Sequence, residues 1–154
     1  MAKAKKKYEL TDETMVVGGI TLHRIRALVA IAVIGVAAGD LGGWIEREGG
    51  LAQVSGNAGV YGNAQVYGNA CVYGNACVYG NARVYGNAQV CGNALVYGNA
   101  QVYGDACVYG NARVYGNAWV SGPIICATRT DGYMFCVAHD HHYIVRIIAG
   151  CRYL

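Results

Sequence analysis

The sequence predicts an all-β fold, a solenoid of short stacked strands. Three observations carry that reading: a strict period of six residues, a valine opening every unit, and a glycine-asparagine corner inside it. From Val54 to Trp119 the chain runs through eleven hexads of the form V-Y-G-N-A-x without insertion or deletion. Valine holds the first place of all eleven, glycine the third and alanine the fifth. The fourth is asparagine in ten and Asp105 in the other. A twelfth unit opens at Val120-Ser121-Gly122 and breaks at Pro123.

An even period preserves the inside-outside alternation of a strand from one unit to the next. Valine is stiff at χ1 and favours extended backbone. Glycine takes positive φ without steric cost, and asparagine tolerates that region better than most residues. Each hexad is therefore a short strand plus a corner, and three of them close a coil of 18 residues. Coils stack at the ordinary strand spacing of about 4.8 Å. Eleven hexads fill a little under four coils.

The spacing of an aliphatic residue and a small residue four places later, kept from Val54/Ala58 to Val114/Ala118, resembles the hexapeptide-repeat family of left-handed parallel β-helices. The left-handed connection, contrary to the usual rule for parallel strands, is implied by that resemblance, as is a trimeric assembly. The lead-in LHRIRAL, then GDLGGWIE, then the VYGNA run resembles phage- and prophage-encoded hexapeptide-repeat proteins, mostly without assigned function. Those proteins continue past a Gly-Cys pair like Gly150-Cys151, so the resemblance implies a shortened C-terminal part here. Three regions follow: strands and a cap over 1–53, the solenoid over 54–122, and a β-hairpin cap over 123–154.

Residues 18 apart share a column. Valine and alanine fill the core, while tyrosine and the variable last residue point outward. One outward column is Tyr61, Tyr79, Tyr97 and Tyr115; others hold Tyr67, Tyr85, Tyr103 and Ser121, or Ser55, Tyr73, Cys91 and Tyr109. Stacked rings tie neighbouring coils together at a few tenths to about 1 kcal/mol per pair. Between Val54 and Trp119 only Arg83, Asp105 and Arg113 are charged. A surface poor in charge and rich in tyrosine has interface character. The candidate interface or ligand-binding residues are Tyr61, Tyr79, Tyr97, Tyr115, Arg83, Arg113 and Trp119.

The ends of a stacked coil expose strand edges and need covering. Lys7 to Leu28 reads as two strands turning at Gly18-Gly19. The apolar run Ala27 to Ala38 reads as a buried strand or a short buried helix. Trp44, after the glycines of GDLGG, is placed to plug the core. Beyond the repeat, Ile124–Thr130 and Tyr133–Ala138 flank the turn signal Asp131-Gly132, and Tyr143–Ala149 reads as a third strand. Met15, Met134 and Phe135 are expected in the core.

The seven cysteines are odd in number and contain no CxxC pair. Cys71 and Cys107 share a column but lie two coils apart, about 9.6 Å, beyond the reach of a disulfide. Cys77 and Cys91 fall in different columns. Across a two-residue turn Cys126 faces Val137 and Cys136 faces Ala127. Reduced thiols and a cytoplasmic compartment are the expectation. The cluster His139-Asp140-His141-His142 has some metal-ligand character through His139 and His141, with Cys136 as a third ligand, but a polar turn is the simpler account. No cofactor is expected.

Composition excludes several classes. With 55% hydrophobic and 14% charged residues, the chain is no charge-driven disordered segment. Its longest apolar run, Ala27 to Gly39, has 13 residues, against roughly 20 for a membrane span. The net charge of +3 rests on Lys3, Lys5, Lys6 and Lys7, so the solenoid has no basic field for nucleic acid. No secretory leader is visible, since YELTDET is polar where an apolar region belongs. The P-loop and GxGxxG patterns are missing.

The expected function is a non-catalytic binding or assembly module of phage or prophage origin, presenting tyrosine-rich faces to its own copies, to a protein partner or to a small ligand. Nucleic acid and membrane are not among its expected partners. An acyl-CoA-dependent acyltransferase is the first alternative, implied by the resemblance. It needs a histidine base, and no histidine lies between Leu51 and Tyr133. A nucleotide trap in phage counter-defence, with Arg47, Arg83 or Arg113 at a subunit seam, is the second. A filament stacked end to end is the third.

Overall fold

The computed structural model describes residues 6–48, 56–122, 124–128, 134–138 and 146–149, the last three segments by backbone alone. The N-terminal region supplies β1 (Tyr8–Val17), β2 (Ile20–Ala27) and β3 (Leu41–Ile45). Eleven two-residue strands follow: β4 (Gly59–Val60), β5 (Gln65–Val66), β6 (Cys71–Val72), β7 (Cys77–Val78), β8 (Arg83–Val84), β9 (Gln89–Val90), β10 (Leu95–Val96), β11 (Gln101–Val102), β12 (Cys107–Val108), β13 (Arg113–Val114) and β14 (Trp119–Val120). A separate antiparallel sheet holds β15 (Ile124–Thr128), β16 (Met134–Ala138) and β17 (Arg146–Ala149).

Each short strand straddles a hexad boundary, joining the variable residue of one unit to the valine of the next. Every third strand pairs in parallel with a register step of 18: Cys77 lies beside Leu95, and Leu95 beside Arg113. The three sides are the ladders β4-β7-β10-β13, β5-β8-β11-β14 and β6-β9-β12. The molecule is thus a parallel β-solenoid of just under four coils. Valines from Val66 to Val108 and alanines from Ala64 to Ala112 are essentially inaccessible and form one continuous core. Burying one valine side chain stabilises by about 1.5–3 kcal/mol, so the core alone fixes which side of each strand turns inward.

The corners are as regular as the core. Gly80 has φ +70°, and a Cβ there would lie 3.1 Å from the backbone nitrogen of Gly98 in the next coil. Only glycine satisfies both the left-handed backbone and the close approach. The following asparagines form ladders. Asn75 Nδ2 donates to Asn93 Oδ1 at 3.1 Å, and Asn93 Nδ2 to Asn111 Oδ1 at 3.1 Å. The shortest ladder, Asn69-Asn87-Asp105, ends on the carboxylate, which accepts from Asn87 Nδ2 at 2.9 Å. An acceptor-only group belongs on a last rung, because nothing further along needs its donation.

The N-terminal strands extend one solenoid side rather than lying across its end. The β1–β2 hairpin turns at Gly18-Gly19, as the sequence indicates. β2 pairs with β3, and β3 pairs in parallel with β5, setting Trp44 beside Gln65 and Ile45 beside Val66. Ile45, fully buried in the core cluster, is therefore the plug. Trp44 is on the opposite side of the same strand, under the Arg24 guanidinium at 5.4 Å. Gly43 makes this approach possible, since a Cβ there would meet Ala64 O at 2.7 Å.

Three expectations are corrected here. The run Ala27–Ala38 is neither a buried strand nor a buried helix. It closes the antiparallel β2–β3 connection as a loop with one 3₁₀ turn (Ala32–Ile34), and none of that turn is buried. Both edges of β2 are already paired, so no place beside β2 remains for it. Met15 is half-buried at the surface of the hairpin, its Sδ accepting from Gln65 Nε2 at 3.8 Å. In the C-terminal sheet the ladder sets Cys126 opposite Cys136 and Thr128 opposite Met134. The connection is five residues, 129–133, not two. That slips the register by one and overturns the pairing of Cys126 with Val137. The side chains of Met134 and Phe135 lie outside what is described.

Candidate functional site

The β4-β7-β10-β13 side carries the Tyr61 column. Tyrosine follows the inward valine in each unit and so turns outward. The rings of Tyr61 and Tyr79 stack at 5.1 Å with an interplanar angle of 2°, Tyr79 and Tyr97 at 5.0 Å and 3°, and Tyr97 and Tyr115 at 5.4 Å and 12°. Tyr67, Tyr85 and Tyr103 make a second stack at 5.1 and 5.3 Å. The third column is broken by Cys91.

The stacking decides what a tyrosine-rich side presents. Each ring covers the face of its neighbour, so a stack turns edges and hydroxyls outward and leaves a free face only at its end. Tyr115, with no ring beyond it among the described residues, is accordingly 51% exposed. The rings also lean across the coil boundary. Tyr73 Oη donates to Gln89 Oε1 at 3.2 Å and Tyr85 Oη to Gln101 Oε1 at 3.1 Å, each a step of 16 residues. Tyr61 leans on Cys77 in the same way, which explains why that thiol is buried.

The electrostatics follow from burial. Desolvation pushes Tyr61 up to about 12, with Cys77 and Tyr79 adding to the shift. Tyr73 is likewise pushed up to about 12, first by its hydrogen bond with Cys91 and then by burial. Burial raises Cys77, and it raises Cys107 beside Cys91. These groups are held protonated at neutral pH, and the surface they form is uncharged. The straight-column reading of the sequence set Tyr73 and Cys91 in one column, 18 apart, but missed the contact of Tyr61 with Cys77. The signal was the diagonal spacing of 16, available once the coil length is known.

The predicted basic residues do not converge within one chain. Arg113 belongs to the Tyr61 side, beside Leu95. Arg83 belongs to the neighbouring side, in register with Gln101, which in turn pairs with Trp119. Trp119 is 61% exposed. Arg47 is occupied at the first coil, its Nη2 donating to Gly68 O at 2.9 Å and to Asn69 Oδ1 at 2.8 Å. His139 and His141 lie outside the described residues. Among the described residues no group of three His, Cys, Asp or Glu is placed to hold a metal ion, and no helix is long and apolar enough to cross a membrane.

No curated protein matches the chain. The family model for the YdcK beta solenoid repeat matches it five times, over residues 52–65, 64–79, 76–89, 88–104 and 106–122. These matches fall on the segment where the ladders step by 18, and with that geometry they make the chain a β-solenoid repeat protein, similar to the YdcK repeat over residues 52–104 and 106–122.

Proposed function

We propose that the chain is a non-catalytic assembly module whose Tyr61–Tyr115 side packs against further copies of itself. The uninterrupted stack of four rings at 5.0–5.4 Å carries the reading. A row of edges and hydroxyls at that pitch meets rung for rung only a partner with the same pitch, and a second copy supplies it. Arg113 is the single charge on this side between Gly59 and Tyr115, so little charge has to be desolvated. A trimer is the expected closed form, on the resemblance to hexapeptide-repeat proteins. The lead-in GDLGGWIE supports a phage or prophage origin.

The test is Tyr79→Ser with Tyr97→Ser, read by light scattering on a sizing column. The variant is expected to run as a monomer with unchanged strand content by circular dichroism. An unchanged oligomer mass would overturn the proposal.

A further inference from the structure

Tyrosine stands second in nine of the eleven hexads, and Ser55 and Cys91 are the exceptions. Cys91 breaks the third ring column. The residue 16 places on, against which a tyrosine there would lean, is Cys107. The two thiols belong to neighbouring coils of the β6-β9-β12 side. Cys107 is in register with Gln89, two residues before Cys91, and Cys91 N donates to Val108 O at 2.8 Å. Val90 and Val108 are fully buried, so Cys91 and Cys107, which alternate with them, both turn outward on this side. Both are half-buried and free. Straight columns do not show this pair; the diagonal does. The side chains are also in contact. Cys107 shares a hydrogen bond with Cys91. Tyr73 Oη reaches Cys91 from the coil before, while donating to Gln89 Oε1 at 3.2 Å.

The backbone limits what can join the two sulfurs. One strand across and two residues along sets the Cα atoms about 8 Å apart, and a disulfide needs about 7 Å or less. An atom held between the sulfurs removes that mismatch, because two metal–sulfur bonds of about 2.3 Å each reach further than one S–S bond of about 2.05 Å. Zinc takes four ligands, and among the described residues no third His, Cys, Asp or Glu joins the pair. Two thiolates alone suit a soft cation content with two ligands, and monovalent copper is such a cation. We propose that Cys91 and Cys107 bind one Cu(I) ion and so bridge two adjacent coils. Two S–H protons leave to water, two S–Cu bonds form, and no electron is transferred. The Tyr73 hydroxyl beside Cys91 is placed to donate to the thiolate that results.

The test is anaerobic titration of the reduced full chain with the Cu(I)–bicinchoninate complex, read as copper retained per chain by native mass spectrometry. Other cysteines take copper too, so the comparison among variants decides. Cys91→Ser and Cys107→Ser should each retain one ion fewer than the wild type. The double variant should also retain only one fewer, because the two sulfurs share one ion. Serine already stands second in the first hexad, so strand content by circular dichroism should be unchanged. Cys71, whose thiol donates to Asn69 O at 3.7 Å, is the control, and Cys71→Ser should retain as much copper as the wild type. An unchanged count in either single variant would overturn the proposal, as would a loss of two ions in the double variant. A loss in Cys71→Ser equal to that in Cys91→Ser would overturn it as well, since the sulfurs would then be interchangeable. The pair lies off the Tyr61 side, so this proposal and the one on assembly fail independently.

Discussion

Tyr61 and Tyr73 hold their protons to about pH 12 in the folded chain, against an ordinary value of 10.0. The sign of the consequence is fixed by linkage. Between about pH 10 and 12 the folded state keeps protons that the unfolded state has released, so stability falls as pH rises through that window and is flat with respect to these groups below it. Tyr67, Tyr79 and Tyr85 lean in the same direction through burial. Urea midpoints measured from pH 8 to 12 should therefore hold steady and then drop. Tyr61→Phe with Tyr73→Phe should flatten part of the drop. A slope in the double variant equal to that of the wild type would show that these two hydroxyls titrate normally.

The asparagine ladders are directional elements. Each inner asparagine receives from the coil before and donates to the coil after, whereas the last rung only needs to receive. Asp105 already occupies one such last rung. Asn93→Asp removes a donor that Asn111 Oδ1 uses and also places a carboxylate against it. Asn111→Asp keeps the one bond its ladder requires. The first change should cost about 1 kcal/mol more than the second, as read by the difference in urea midpoints. Equal costs would mean that the ladder bonds add nothing beyond what water supplies.

At the scale of the whole molecule, the solenoid was legible because its information is local and repeated: each valine, glycine and alanine votes for the same coil. The column of Tyr61, Tyr79, Tyr97 and Tyr115 followed by arithmetic alone. The ends were legible only in part. Ile45 displaced Trp44 as the plug because a parallel pairing of β3 with β5 sets the side each residue faces, and no short-range pattern reveals that partner. The apolar loop misled because hydrophobicity reports a preference for burial, while topology decides whether a place exists. The Cys126–Cys136 register turned on a slip of one residue across a connection longer than the two-residue turn. Removing Tyr73–Val90, a full 18 residues, should leave a chain that still melts cooperatively with the same strand content per residue. Removing the nine residues Tyr73–Asn81 turns the later valines out of the core and should abolish the cooperative melt. Survival of that melt would contradict the shared core.

The step of 18 between paired strands has one further implication, for how such a chain changes length. A gain or loss of three units lengthens or shortens the rod by about 4.8 Å and leaves the chemistry of each flank as it was. A gain or loss of one unit rotates everything downstream by a third of a turn, handing each flank the residues of its neighbour. Slippage within this repetitive stretch therefore has two distinct effects, a ruler in steps of three and a dial in steps of one.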